Sequence, residues 1–165
     1  MHPRHSKALV LVRVRISNLS QLMERILKYM IAAFLMICNS VSANDYNLGD
    51  LSVTKSFSYP TNGRSGAGYF TLTNDGQPDV LMAVVANFPR VMIHESLMQD
   101  GVMTMQHRMM VDVPGQKKIE FAPGGYHVMF MGLTDGWAAG DEIEASLQFK
   151  NAGTLDIKFV VIARP

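Results

Sequence analysis

The chain has 165 residues, of which 48% are hydrophobic, and its 15 Lys and Arg nearly balance its 14 Asp and Glu. A chain of this length suits one domain with a leader. Its single cysteine excludes an intramolecular disulfide, and the charge balance excludes the strongly basic character typical of nucleic-acid-binding domains.

The first predicted element is an export signal. Arg25 and Lys28 precede an apolar run over residues 29–38, and small residues lead up to Ala43. The run is shorter than the roughly 20 residues that a membrane-spanning helix needs. We therefore predict a signal peptide over residues 1–43, with cleavage after Ala43.

Two details qualify this leader. Met23 offers a second start, which would make residues 1–22 an extension of the gene model. Cys38 follows Leu35-Met36-Ile37, whereas a lipidated cysteine follows a small residue, so we interpret Cys38 as part of the leader.

Cleavage would leave a single domain over residues 44–165 with nine basic and thirteen acidic residues, a net charge of −4. This domain lacks the basic surface that nucleic acid or an anionic membrane requires. It also lacks a thiol, which excludes thioredoxin-like exchange. We expect a periplasmic protein with no stable membrane insertion after cleavage.

Short runs rich in Val, Leu, Thr, Phe and Tyr, separated by Gly, Pro, Asn and Asp, predict an all-β domain. Their number and spacing favour a Greek-key β-sandwich or barrel. The predicted strands are Leu51 to Tyr59, Gly68 to Thr73, Val80 to Ala86, Val91 to Met98, Val102 to Val111, Lys118 to Phe121, Tyr126 to Leu133, Glu142 to Lys150 and Thr154 to Ala163.

Methionine and histidine are concentrated in one segment of this domain. All nine of its methionines lie between Met82 and Met131, together with its only three histidines. Any single methionine is best explained as an adaptable core residue. The clustering with histidine favours a metal site instead.

The Asp100-Gly101 dipeptide predicts a two-residue hairpin turn, which fixes the register of the flanking strands. His94 then faces His107, Ser96 faces Met105, and Met98 faces Met103. Alternation places these side chains on one face of the hairpin. A bulge or a longer loop would change the pairs.

A second cluster lies in the predicted strand that begins at Tyr126, after the turn 123–125. Period-two alternation points His127, Met129 and Met131 to one side of this strand. If this strand lies beside the hairpin, the two clusters form a site with two histidines and several methionines.

Thioether sulfur is soft and uncharged, so this donor set selects Cu(I) over zinc and over hard cations. Thioethers also remain available as ligands in an oxidising compartment, where paired thiols form disulfides. A blue-copper site is excluded because it requires a cysteine ligand.

The spacing of the donors resembles that of the periplasmic PCu(A)C copper chaperones. His94 and Met105 are separated by ten residues, Met105 and His127 by twenty-one, and His127 and Met129 by one. The similarity extends through Asp100-Gly-Val-Met-Thr-Met105 and Pro123-Gly-Gly-Tyr-His-Val-Met-Phe-Met-Gly-Leu133 to the last strand.

The resemblance implies a cupredoxin-like fold that binds Cu(I) through His94, Met105, His127 and Met129. It also implies delivery to the copper centre of cytochrome oxidase or to a Sco-type partner. The chain departs from the family pattern at Trp137, for which the sequence offers no explanation beyond packing near the site.

The roles of the remaining donors stay open between ligation and structure. Met98, Met103 and Met131 are expected to form an apolar collar around the metal, with ligation as the alternative. His107 is an auxiliary ligand or simply an exposed residue. Glu95 and Asp100 are interpreted as solvated hairpin residues, because no nucleophile or oxyanion arrangement accompanies them and catalysis is not supported.

Two other functions compete with delivery. A periplasmic storage or resistance protein would bind copper without a dedicated recipient. A metal-free β-sandwich adhesin or interaction module would not bind copper at all, and its methionines would be replaceable by leucine without effect.

Overall fold

A computed structural model describes residues 45–164 as eleven β-strands, and no helix forms among these residues. The strands are β1 (Tyr46–Leu48), β2 (Leu51–Ser58), β3 (Ser65–Asn74), β4 (Asp79–Ala86), β5 (Arg90–Gln99), β6 (Val102–Arg108), β7 (Val111–Val113), β8 (Lys117–Phe121), β9 (Tyr126–Met131), β10 (Glu142–Phe149) and β11 (Thr154–Val161). The all-β prediction is confirmed. Within this part of the chain there is no helix that could span a membrane. The predicted signal peptide, its cleavage site and Cys38 lie outside the described residues.

The strands form one sheet in the order β6-β5-β9-β8-β3-β2-β11-β10-β4-β7, and β1 pairs with β2. Strand β9 also pairs with β3, so it lies between β5 and β3. Strands β6 and β7 each have one neighbour and form the two edges of the sheet. The sheet is therefore open, and its edge strand β6 belongs to the methionine-rich hairpin.

The apolar core follows from alternation along the strands, whose inward residues are buried while their neighbours are partly exposed. Phe70 stacks on Phe121 with ring centroids 4.2 Å apart, and Phe130 meets Phe159 edge-on at 5.6 Å. Burying one such ring contributes about 1.5–3 kcal/mol. Because Phe130 is anchored in the core, its neighbours Met129 and Met131 face the other side of β9.

Trp137 packs into this core, which accounts for the aromatic residue that the sequence left unexplained. Its indole lies against Gly66, where an added Cβ would come within 2.0 Å of the ring. Its Nε1 donates a hydrogen bond to the carbonyl of Tyr59 at 2.8 Å. Since Gly66 pairs with Phe130 on β9, Trp137 supports the methionine-bearing strand from the core side.

The structure differs from the predicted set of strands in two places. The strand predicted from Val102 to Val111 is two strands, because the chain leaves β5 after Arg108 and pairs again with β4 at the opposite edge. Strand β1 was not predicted, since its three residues carry no alternation.

A cluster of polar side chains lies at the turns that join β3 to β4 and β10 to β11, and we call it the Asp79 cluster. The Asp79 carboxylate accepts hydrogen bonds from the backbone N–H groups of Val80, Asn151 and Ala152 at 2.7–2.9 Å. The Asn74 side chain donates to the carbonyls of Gln77 and Val113 and accepts from the Gly76 N–H. Both Asp79 and Asn74 are buried. Their side chains form these hydrogen bonds with backbone groups, as buried polar groups require.

Candidate metal centre

The β5–β6 hairpin has the register that the sequence predicts. Asp100 and Gly101 have φ angles of 52° and 78°, as expected for a type I′ turn. His94 faces His107, Ser96 faces Met105, and Met98 faces Met103. The hairpin register is therefore confirmed.

Strand β9 lies on the other side of β5 and brings the second cluster next to the first. His127 of β9 faces His94 of β5, and Met129 faces Met92. Residues that face each other across neighbouring strands point to the same side of a sheet. His94, Met105, His127 and Met129 therefore share one face of three adjacent strands.

His94 occupies the centre of this face. Its Nδ1 lies 3.1 Å from the Met105 sulfur. Two donors with bonds of about 2.0 and 2.3 Å to one tetrahedral ion would be roughly 3.5 Å apart, close to this separation. Burial, followed by the neighbouring His127 and His107 imidazoles, lowers the pKa of His94 below its usual value. The lowered pKa favours the neutral imidazole, which is the form that binds metal.

His127 is the most buried of the four side chains, with 5% of its surface exposed. Its Nδ1 donates a hydrogen bond to the Gly125 carbonyl at 3.0 Å. This bond fixes the tautomer and the ring orientation and leaves Nε2 with a free lone pair. Gly125 belongs to the turn that precedes β9, so the local chain path orients the imidazole.

Met129 is partly buried because β9 is an inner strand, with Met92 facing it from β5 and Ala67 from β3. Met105 lies on the edge strand and is 55% exposed. The two thioethers therefore differ in access to solvent. Met129 lies in the interior of the face, and Met105 lies at its rim.

The four auxiliary candidates lie at three different places. Met98 and Met103 face each other near the tip of the hairpin and are 67% and 62% exposed. Met131 lies at the far end of β9, between Arg90 and Ser65. His107 is exposed and lies beside His94, with ring centroids 5.9 Å apart.

Sequence reasoning missed two residues of this face. Met92 precedes His94 by two positions and lies directly opposite Met129. Alternation along β5 was the signal that could have identified it. Tyr69 reaches the face from β3, with its ring centroid 6.5 Å from that of His127, and no local pattern indicates this long-range neighbour.

Carboxylates do not contribute to this face. The interpretation of Glu95 as a solvated residue was wrong, because its side chain is only 15% exposed and pairs with Arg108 at 2.5 Å. It lies on the opposite side of the sheet from His94. Within residues 45–164, no three His, Cys, Asp or Glu side chains converge to hold a metal.

A family model and a curated protein are similar to this chain. The model of the LpqE-like family, described as putative lipoproteins, matches residues 51–161. Putative lipoprotein Lxx21020 of Leifsonia xyli subsp. xyli is 31% identical over 83 residues. The matched region covers 50% of this chain and 50% of the relative, so the chain spans about half the length of the relative that it matches.

Two solved structures resemble the whole β domain. The apo PCuAC domain from PmoF1 is 26% identical, with a TM-score of 0.62, and covers 73% of this chain and 100% of its own. The copper-bound PCuAC domain from PmoF2 is 22% identical, with a TM-score of 0.61, and covers 73% of this chain and 99% of its own. These matches confirm the predicted cupredoxin-like β-fold and the resemblance to PCu(A)C domains.

Proposed function

This chain belongs to the LpqE-like family of putative lipoproteins, and from this premise we propose that it is an exported copper chaperone. It binds Cu(I) through His94, Met105, His127 and Met129 and releases it to an acceptor. The observation that carries the proposal is the meeting of these donors on one face, with the His94 Nδ1 3.1 Å from the Met105 sulfur.

The donor set selects the metal. Two imidazoles and two thioethers are neutral, and sulfur is soft, which suits Cu(I) better than Zn²⁺ or a hard cation. Glu95, next to His94 on β5, points to the opposite side of the sheet, which agrees with the same choice. The likeness to a PCuAC domain solved with copper bound agrees with copper as the cargo.

The four residues have distinct parts in binding. His127 is held by its bond to Gly125 and supplies Nε2 from the most buried position. His94 lies between the histidine of β9 and the thioether of β6, so it joins the two halves of the site. Met129 supplies sulfur from the inner strand, and Met105 supplies it from the edge.

Release follows from the exposure of the site. Met105 is more than half exposed on an edge strand, where a competing ligand can replace a neutral thioether. Binding and ligand exchange, rather than catalysis, are then the activity of the protein. By resemblance to the PCu(A)C chaperones, the acceptor is the copper centre of cytochrome oxidase or a Sco-type protein.

We place the protein outside the cytoplasm, in the periplasm. The family and the Leifsonia relative are described as putative lipoproteins, and lipoproteins are exported. This description agrees with the leader predicted over residues 1–43. It also makes the role of Cys38 testable, because a mature chain that begins at a lipidated Cys38 would show that cleavage after Ala43 is wrong.

The test is Cu(I) binding by a variant that keeps the volume of the site and removes its sulfur. In the double variant Met105→Leu/Met129→Leu, competition with a Cu(I) chelator should show affinity lowered by about a hundredfold. Met82→Leu on β4 is the matched control and should bind like the wild type. Equal Cu(I) affinity of the double variant and the wild type would contradict the proposed site, and a wild type without measurable Cu(I) binding would favour a metal-free module.

Delivery is tested in cells that lack the protein. Loss of oxidase activity when copper is scarce, restored by the wild type and not by the double variant, is the expected result. Normal oxidase activity together with sensitivity to added copper would contradict delivery and favour storage.

A further inference from the structure

Three imidazoles form a row across the neighbouring strands β6, β5 and β9. His107 faces His94 from one side, and His127 faces it from the other. The ring centroids are 5.9 Å apart in the first pair and 5.8 Å apart in the second. His94 is therefore placed equally well to share a metal with either neighbour.

Both separations suit a shared ion. With metal–nitrogen bonds of about 2.0–2.1 Å, two imidazoles on one ion have ring centroids roughly 5–6 Å apart. The Met105 sulfur, 3.1 Å from the His94 Nδ1, lies on the same strand and the same face as His107. An ion between His94 and His107 would thus keep a thioether within reach.

Exposure increases along the row. His127 is buried, His94 is half-buried, and His107 is exposed on the edge strand β6. Within residues 45–164, the imidazoles of His94 and His127 have polar contacts, whereas that of His107 forms no hydrogen bond. His107 is therefore free to turn toward an ion or toward an approaching ligand.

We propose that His107, together with His94 and Met105, forms an outer copper position through which Cu(I) enters and leaves the inner site. The inference rests on the proposed function of the four-residue site. During release, the bonds from Cu(I) to His127 and Met129 break while a bond to His107 forms, and His94 and Met105 stay bound. Neutral donors are exchanged on one ion, and no electron is transferred.

An outer position affects the rate of exchange more than the affinity, because the resting ion occupies the inner site. In His107→Gln, equilibrium competition with bicinchoninate should give a Cu(I) affinity within about threefold of the wild type. Stopped-flow transfer of Cu(I) to the same chelator should be slower by about tenfold. His107→Met, which restores a soft donor, should recover most of the rate.

Gln106→Ala is the matched control, since Gln106 is also exposed on β6 and points to the opposite face. It should change neither the affinity nor the rate. An unchanged transfer rate in His107→Gln would overturn the outer position. So would an affinity lowered by about thirtyfold or more, because His107 would then be a ligand of the resting site. Wild-type protein that failed to bind Cu(I) would instead overturn the proposed function on which the inference rests.

Discussion

The methionine and histidine face and the Asp79 cluster use polar and polarisable side chains in opposite ways. In the Asp79 cluster, every contact of the buried carboxylate is made by backbone N–H groups of the same chain. On the metal face, the His127 Nδ1 has a backbone partner while its Nε2 keeps a free lone pair, and the Met105 side chain is more than half exposed. Satisfied groups stabilise a fold, whereas groups left available bind a ligand.

The comparison predicts that substitutions in the two regions change different properties. Substitutions on the metal face should change copper binding and leave the free energy of unfolding nearly unchanged. Substitutions in the Asp79 cluster should do the reverse, because the two regions share no contact residue and distant effects are usually additive.

The largest effect is expected for His94→Ala, which removes the donor at the centre of the face. Cu(I) affinity, measured by chelator competition, should fall by about a hundredfold or more. The midpoint of urea unfolding without copper should remain close to that of the wild type, since His94 is only half-buried. A large loss of folding stability with little loss of Cu(I) affinity would contradict the assignment of His94 to metal binding.

The reciprocal change is Asp79→Ala, which removes the carboxylate acceptor of three partly buried backbone hydrogen bonds. We expect the free energy of unfolding at neutral pH to fall by about 2 kcal/mol. Urea titration of the copper-free protein measures this value. Cu(I) affinity should be unchanged, and a variant that unfolds like the wild type would show that the cluster has no stabilising role.

Acid should reduce the stability that the Asp79 cluster contributes to the fold. Burial raises the pKa of Asp79, but the hydrogen bonds from the backbone N–H groups of Val80, Ala152 and Asn151 outweigh this effect, and the pKa lies below its usual value. Because the unfolded chain then binds the proton more tightly, the contribution of Asp79 is present above about pH 4 and is lost as the pH falls further.

The stability difference between the wild type and Asp79→Ala should therefore narrow between neutral pH and about pH 3. Urea midpoints of both proteins across this range provide the measurement. A difference that stays constant would mean that the carboxylate has the same pKa in the folded and unfolded chains.

The smallest effect is expected for Met92→Leu, which distinguishes a ligand from a residue that packs beside one. Met92 faces Met129 but is not among the four proposed donors. Cu(I) affinity should fall by about threefold or less, because leucine keeps the apolar contact. A loss as large as that of Met129→Leu would make Met92 a ligand and enlarge the site.

How much the sequence predicts depends on how local the determining contacts are. The hairpin pairs of His94 and Met105 follow from two turn residues, Asp100 and Gly101, so their register could be derived from the chain alone. The placement of β9 beside β5 is a long-range pairing without a local signal. From the sequence alone, this pairing could therefore only be assumed when the two clusters were joined into one site.

Other features also depend on contacts between residues that are far apart in the sequence. Asp79 precedes a predicted strand, and nothing near it indicates that the turn at Asn151 and Ala152 supplies its hydrogen bonds. Glu95 pairs with Arg108, which was assigned to a longer strand than the structure contains. Periodicity predicts faces, but it does not predict which face meets which partner.

X-ray absorption by the Cu(I)-loaded protein tests the central claim most directly. Ligation by His94, Met105, His127 and Met129 predicts a shell of nitrogen at about 2.0 Å and a shell of sulfur at about 2.3 Å. The sulfur shell should be lost in Met105→Leu/Met129→Leu and kept in Met82→Leu. A copper environment of nitrogen and oxygen without sulfur in the wild-type protein would contradict the account.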